Sequence, residues 1–271
     1  MNKPGSRAGP RLGIRQKVSR SQAILSGIAI WVLFFAVWEA VSAAGLVNDL
    51  LVPAPSKVLA TLYQLFAERG LLDDVLVSVG RVAISFALAC LVAIPLGIAM
   101  GAFPAIEAVL NPFVSAWRYL PAPSFIPILL MWFGTGEGPK LALLIIGVIF
   151  FLITLIMDHT SDVRSELIET ALTLGAGRWT TLRTVILPAV LPNILVAMRQ
   201  MLAVSWTYLV IAEIVASTTG VGAMMMRARR FLHTDEIMSG IIVIGILGLA
   251  CDTLFRLLHR VLFPYLHARS A

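Results

Sequence analysis

Three ionisable side chains lie within or at the ends of long apolar runs, Glu39, Arg199 and Glu213. A charge placed there is costly unless it faces a bundle interior, a partner or a watery cavity. Arg199 would attract an anion if its guanidinium faced a central path, and snorkelling or pairing with a backbone carbonyl is the other reading. Glu213 could gate a path, pair with Arg227, Arg229 and Arg230, or touch a partner; a structural ion pair is the simplest single account. Ser205, Trp206 and Thr207 follow Arg199 at nearly two helical turns and could share its face. Gly134-Thr-Gly-Glu-Gly-Pro-Lys140 has the outline of a phosphate loop, but Leu141 follows the lysine where Ser or Thr is required, and apolar runs replace the flanking strand and helix. It reads as a tight turn. His159, His233, His259 and His267 are scattered, and Cys90 and Cys251 sit inside apolar runs. No catalytic set, metal set or nucleotide site is expected, so the chain is not expected to be an enzyme.

The elements that hold these residues follow from composition. Hydrophobic residues are 59% of the 271 and charged ones 13%, more apolar surface than a water-soluble globule can bury. The bilayer must be its solvent. The net charge of +6 resides in residues 1–20, where Lys3, Arg7, Arg11, Arg15, Lys17 and Arg20 stand without an acidic residue. Beside a membrane span, such an arm sets orientation and touches anionic lipid, which is preferred to a nucleic-acid tail. The expected organisation is a basic arm over 1–20 and one membrane domain over 21–271.

The first apolar run continues from Ala23 past Trp38 to Leu46, too far for a cleaved signal sequence. Six spans are predicted: Ala23–Leu46, Val82–Phe103, Tyr119–Phe133, Leu141–Met157, Pro188–Val215 and Ile237–Leu258. Pro121, Pro123 and Pro127 make the third irregular. With a cytoplasmic N-terminus, the inner segments hold thirteen basic residues and the outer ones six, which predicts both termini inside. The Arg227–Arg230 cluster runs against that rule and could mark a contact surface. Val58, Leu59, Leu62, Leu65 and Phe66 predict an amphipathic outer helix, and Gly97 and Gly101 predict a close helix contact.

Between the fourth and fifth spans, Ser165 is a candidate N-cap, Glu166 and Glu169 suit the positive end of a helix, and Gly175 and Gly177 permit a sharp stop. Leu167, Ala171 and Leu174 place an apolar stripe on a short helix outside the bilayer. That stripe needs a cover, either a groove on another protein or the chain's own bundle.

Glu169, Ala171, Gly175, Val185, Leu187 and Pro188 resemble the Glu-Ala-Ala loop of bacterial ATP-binding-cassette (ABC) importer permeases, with Thr170 in place of an Ala and Val185 in place of an Ile. Arg118-Tyr-Leu-Pro-Ala-Pro-Ser-Phe-Ile-Pro127 followed by Trp132-Phe-Gly134 is similar to the nitrate/sulfonate/taurine branch, with Ser124 where Ala is usual. The resemblance implies an all-α, polytopic, six-helix MetI-like bundle with a cytoplasmic coupling helix, in the bacterial inner membrane. It implies a second permease copy or paralogue, ATPase subunits that carry the ATP and Mg, a substrate-binding protein outside, and no cofactor on this chain. The cargo would be a small anion of the sulfonate, taurine, nitrate or bicarbonate type. On this reading the six loop residues couple to the ATPase, Arg199, Trp206 and Glu213 line the path, and Arg227, Arg229 and Arg230 meet the binding protein. A secondary transporter would instead show inverted repeats and acidic residues near the midplane, and no convincing repeat is present.

Overall fold

A segment apolar on every face has no side to offer water, and its backbone must satisfy its own hydrogen bonds, so it becomes a helix enclosed by lipid or by other helices. The computed structural model describes residues 19–267, all helix and connection without a strand. The basic arm up to Lys17, and Arg269, fall outside the described residues. Five helices are long and apolar enough to cross a membrane, Ser21–Ala43, Leu71–Ala102, Gly138–Ser161, Arg178–Ala216 and Thr234–Leu262, making this a multi-pass membrane protein.

The chain divides into two compact units, Met1–Lys57 and Val58–Ala271. In the first, α1 (Arg20–Ala43) opens on a capping box formed by Ser19 and Gln22. Glu39 near its end accepts from the Ser56 backbone N–H at 3.1 Å and the Ser56 hydroxyl at 2.7 Å. It thereby caps the first turn of α2 (Pro55–Glu68), whose free N–H groups favour a carboxylate. The charge of Glu39 is thus held by linkage to a neighbouring helix.

The second unit is built on α3 (Leu71–Ala102), α6 (Gly138–Ser161) and α9 (Leu187–Ala216). Arg81, early in α3, bonds Glu137 just before α6 and Glu213 late in α9. At the other end, a Cβ on Gly101 would fall 2.5 Å from Met157 O and from Thr160 Cβ at the end of α6. So α3 and α6 run the same way, in backbone contact that the Gly97–Gly101 step permits, and α9 runs against them. Leu143, Leu144, Val148, Leu152, Ile153 and Ile156 of α6 are almost fully enclosed, which makes α6 the axis of the core.

Two parallel helices require the chain to cross back between them. The return is made by α4 (Pro104–Arg118), a 3-10 turn (Ala122–Phe125) and α5 (Ile126–Phe133). This corrects the predicted third span, Tyr119–Phe133: α5 has eight residues, about 12 Å, against a hydrocarbon core of about 30 Å. The prolines split the crossing into two pieces, and the first escapes a hydropathy reading because it is amphipathic.

The stub α7 (Ser165–Thr173) and the single turn α8 (Arg178–Thr181) lead through a π-helical stretch, Leu182–Ile186, into α9. Phe103 and Trp179 rings 6.2 Å apart place α8 at the end where α3 finishes. At the opposite end, α10 (Val221–Arg230) buries Val221, Met224, Met225 and Ala228 and turns its arginines outward. Then α11 (Thr234–Leu262) returns beside α9, and α12 (Pro264–His267) closes the described chain. Leu65, Leu71, Val75, Val221, Met224, Met225 and Val243 form a second core under α2 and α10, which is why the amphipathic pattern of α2 holds.

Candidate functional site

The stub α7 has no buried residue in any of its turns. Its Ile168 and Leu172 line a cavity of about 350 Å³ together with Phe103, Pro104, Leu182 and Ile186, while the neighbouring face points away. On that face Leu167 is 46% exposed and Leu174 83%, with Ala171 half-buried between them, and Glu169 is exposed on the opposite side of the helix. One edge of the helix thus rests on the chain's own bundle, and the predicted stripe stays open.

The helix ends in a Schellman motif. The Gly175 N–H donates to Leu172 O and the Ala176 N–H to Ala171 O, both at 3.0 Å, and Gly175 has φ +87°. That conformation strains any residue with a Cβ, so Gly175 sets the stop. Gly177, at φ −72°, has no such need. Ser165 is not the N-cap: it is the first helical residue, Arg164 precedes it, and no side chain caps the end. Val185 and Leu187 are half-buried and Pro188 is exposed in the first turn of α9, and α8 runs into α9 as continuous helix across the π stretch. The stub α7 is set off from that helix by the turn at Gly175 and meets it through the packing of Ile168 and Leu172 beside Leu182 and Ile186.

The charged centre of the fold lies at the other end of the bundle. Glu213 is fully enclosed and accepts from Arg81 Nη1 at 2.7 Å, Ser78 Oγ at 2.7 Å and the Gly222 N–H at 2.8 Å. Arg81, 3% exposed, also donates through Nε and Nη2 to the two Glu137 oxygens at 2.6 and 2.7 Å, and through Nη1 to Thr219 O at 2.7 Å. Lys140 Nζ donates to Glu137 at 2.8 Å. Its ammonium is thus committed to a carboxylate, which removes the one phosphate-loop feature that the 134–140 turn had. The Arg81 hydrogen bonds, aided by Lys140, hold the Glu137 carboxyl down at about 2. Next to this cluster Asp74 receives the Gly220 N–H at 2.6 Å and Arg227 Nη2 at 2.7 Å. Every buried charge has an opposite partner and a hydrogen bond, the condition under which burial is tolerated.

These contacts redistribute the predicted site. Glu213 pairs with Arg81 and not with the Arg227–Arg230 cluster, and Trp206, 4% exposed, is packed in the core. Both are enclosed within one chain. Arg199 Nε stands 3.4 Å from Asp252 on α11, a side-chain partner that neither of its readings named. Arg227 is tied to Asp74 and Thr218 O, while Arg229 and Arg230 project outward. Sequence reasoning missed Ser78, Asp74, Glu137 and Lys140 as partners, and gave Arg81 no role. Its position one residue before the apolar run at Val82 was the available signal. Also missed was a polar stripe on α4, where Glu107, Asn111 and Ser115 are four residues apart, joined by hydrogen bonds of 3.5 and 2.8 Å, and border an open groove.

A polytopic helical bundle with an exposed helical stub between two of its long helices is the architecture of a transporter's membrane subunit. The chain belongs to the binding-protein-dependent transport system inner membrane component family, whose profile matches residues 93–267. It is 35% identical over 260 residues to the taurine transport system permease protein TauC of Escherichia coli, covering 94% of both chains. To the putative aliphatic sulfonates transport permease protein SsuC of Bacillus subtilis it is 30% identical, covering 93% of this chain and 92% of that one. Among solved structures, the inward-facing MetNI methionine ABC transporter matches at a TM-score of 0.55 and 18% identity, over 66% of this chain and 91% of that chain, which establishes the MetI-like fold.

Proposed function

We propose that this chain is the membrane subunit of an ABC importer that moves a small sulfonate-type anion, delivered by a substrate-binding protein and driven by separate ATPase subunits that hold the ATP and Mg. The names of its taurine and sulfonate relatives support the cargo, and nitrate and bicarbonate remain within the same class of small anions. The observation that carries the mechanism is α7. It is a short helix with an open apolar edge at Leu167 and Leu174, an exposed carboxylate at Glu169 and a conformational stop at Gly175, beyond which α8 runs without a break into α9 past Val185, Leu187 and Pro188. A helix of this kind fits a groove on a partner and transmits that partner's movement to α9.

On this reading the stub and both termini face the cytoplasm, and the Arg81 end faces outward. There Arg229 and Arg230 are placed to meet carboxylates of the binding protein, with Arg227 holding α10 to α3. The path is completed by a second copy or a paralogue. Within one copy, the α4 stripe of Glu107, Asn111 and Ser115 supplies a polar surface for it, whereas Glu213 and Trp206 brace its wall from behind. Arg199 acts through Asp252 as a link between α9 and α11.

The test is assembly and transport in vesicles that contain the ATPase and binding protein. Replacing Gly175 with Leu removes the left-handed stop, and Glu169→Lys reverses the stub's charge. The ATPase should co-purify with the unmodified chain, and cysteines placed at 167 and 174 should cross-link to it. The two substitutions together should abolish taurine-stimulated ATP hydrolysis. Cross-links found solely within the permease, with uptake unchanged by the substitutions, would refute the proposal.

A further inference from the structure

The groove between α9 and α11, near the end of the bundle that carries α7, gathers basic groups of which the transport reading uses Arg199 alone. Arg199 of α9 and Arg256, His259 and Arg260 of α11 line it, with Leu195 and Phe255 as apolar walls, around a cavity of about 270 Å³. Among the described residues Asp252 is the single carboxylate in ion-pair contact with these groups, taking Arg256 Nη2 at 2.7 Å and Arg199 Nε at 3.4 Å. Among the described residues Arg260 has no carboxylate within ion-pair distance. Three guanidinium charges against one carboxylate leave the groove with a surplus of two, before any charge on His259.

Depth and surroundings say what would neutralise that surplus. At a rise of about 1.5 Å per residue, Arg260 lies about 3 Å and Arg256 about 9 Å from the end of α11 at Leu262, the level at which a lipid headgroup meets the acyl region. Around them Leu254, Leu257, Leu258, Val261 and Leu262 are 42–75% exposed, an apolar surface suited to acyl chains. A free anion would gain the charge contacts and leave this apolar border unused. A phospholipid satisfies both. The surplus of two selects a net-negative headgroup over a zwitterionic one, whose own cation would be repelled.

We propose that the α9–α11 groove is a binding site for an anionic phospholipid, its phosphate held by Arg256 and Arg260 with His259 beside them, and its acyl chains laid along the apolar face of α11. Arg199, anchored through Asp252, forms the floor and ties the lipid's occupancy to the position of α9. The inference requires the chain to sit in a bilayer and is independent of the cargo or of any ATPase partner.

The test uses the full chain in detergent micelles, with bound lipid counted by native mass spectrometry after adding phosphatidylglycerol or phosphatidylcholine of the same acyl composition. Two surplus charges near the surface predict a preference for phosphatidylglycerol of about 30-fold. Arg256→Gln with Arg260→Gln should bring retention down to the phosphatidylcholine level. Arg229→Gln with Arg230→Gln, an equal loss of charge at the other end of the bundle, should leave it unchanged. Inorganic phosphate at millimolar concentration should not displace the lipid. Equal retention of the two lipids by the unmodified chain would overturn the proposal, as would displacement by free phosphate or retention in the Arg256/Arg260 variant. The first of these comparisons stands even if that variant fails to fold.

Discussion

The buried pair of Arg81 and Glu213 offers the sharpest test of how the end of the bundle opposite α7 is held. In the native site three donors converge on the two Glu213 oxygens, Arg81 Nη1 and Ser78 Oγ on one and the Gly222 N–H on the other. Glu213→Gln keeps the shape but has one acceptor oxygen. In either orientation of the amide, its NH2 faces at least one of those donors. Leaving a buried donor unpaired and weakening a charge-assisted bond should cost about 3 kcal/mol. Arg81→Met removes the other partner and leaves Glu213, fully enclosed, as an uncompensated carboxylate, at a cost of about 3–5 kcal/mol. With both substitutions the carboxylate is gone, so the double variant should lose less than the two single losses combined, by about 2 kcal/mol of coupling. Helicity followed through SDS titration in mixed micelles yields the four free energies. Additivity of the two losses to within about 0.5 kcal/mol would refute the assignment of a direct, mutually neutralising pair.

Further outcomes follow from the same geometry. Glu137 titrates near 2 in the fold, below its ordinary 4.5, so its pair with Arg81 contributes fully above about 4.5 and is lost as pH falls toward 2. Because its side chain is 55% exposed, screening limits the contribution to about 1 kcal/mol. The melting temperature of the unmodified chain should therefore exceed that of Glu137→Gln at pH 6, with the gap closing between pH 4.5 and pH 2; a gap independent of pH would refute this. Gly101→Ala places a methyl group 2.5 Å from Met157 O, a backbone atom that cannot rotate away, and should destabilise by about 2 kcal/mol through separation of α3 from α6. Gly80→Ala, with nothing within 4 Å, should instead gain about 0.5–1 kcal/mol of helix propensity. Equal effects of the two in the same SDS titration would deny the close contact.

Local pattern accounts for much of what was legible. The long apolar runs became α1, α3, α6, α9 and α11 because a bilayer admits little else, and α2 followed from its helical spacing of apolar residues. Gly175 was readable as a stop because a left-handed terminus is close to a glycine property, and the loop spacing from Glu169 to Pro188 led to the family before any coordinate was known. The crossing by α4 and α5 was misplaced because hydropathy measures the average of a window: α4 balances an apolar face against Glu107, Asn111 and Ser115, and only the parallel course of α3 and α6 requires the chain to return there.

The sequence by itself therefore determined the solvent, the class of fold, the family and the exposed stub, each of which rests on residues close together in the chain. Tertiary structure alone decided which charges meet. Arg81, Glu137 and Glu213 lie on three segments separated by 56 and 76 positions, and their pairing depends on helix direction and rotation, neither of which a linear pattern encodes. The same reason explains why Glu213 and Trp206 belong to the interior, and why Arg199 shares a groove with Arg256 and Arg260. Rotation of a helix by half a turn exchanges lumen for core, and that angle is set by the close approach of α3, α6 and α9.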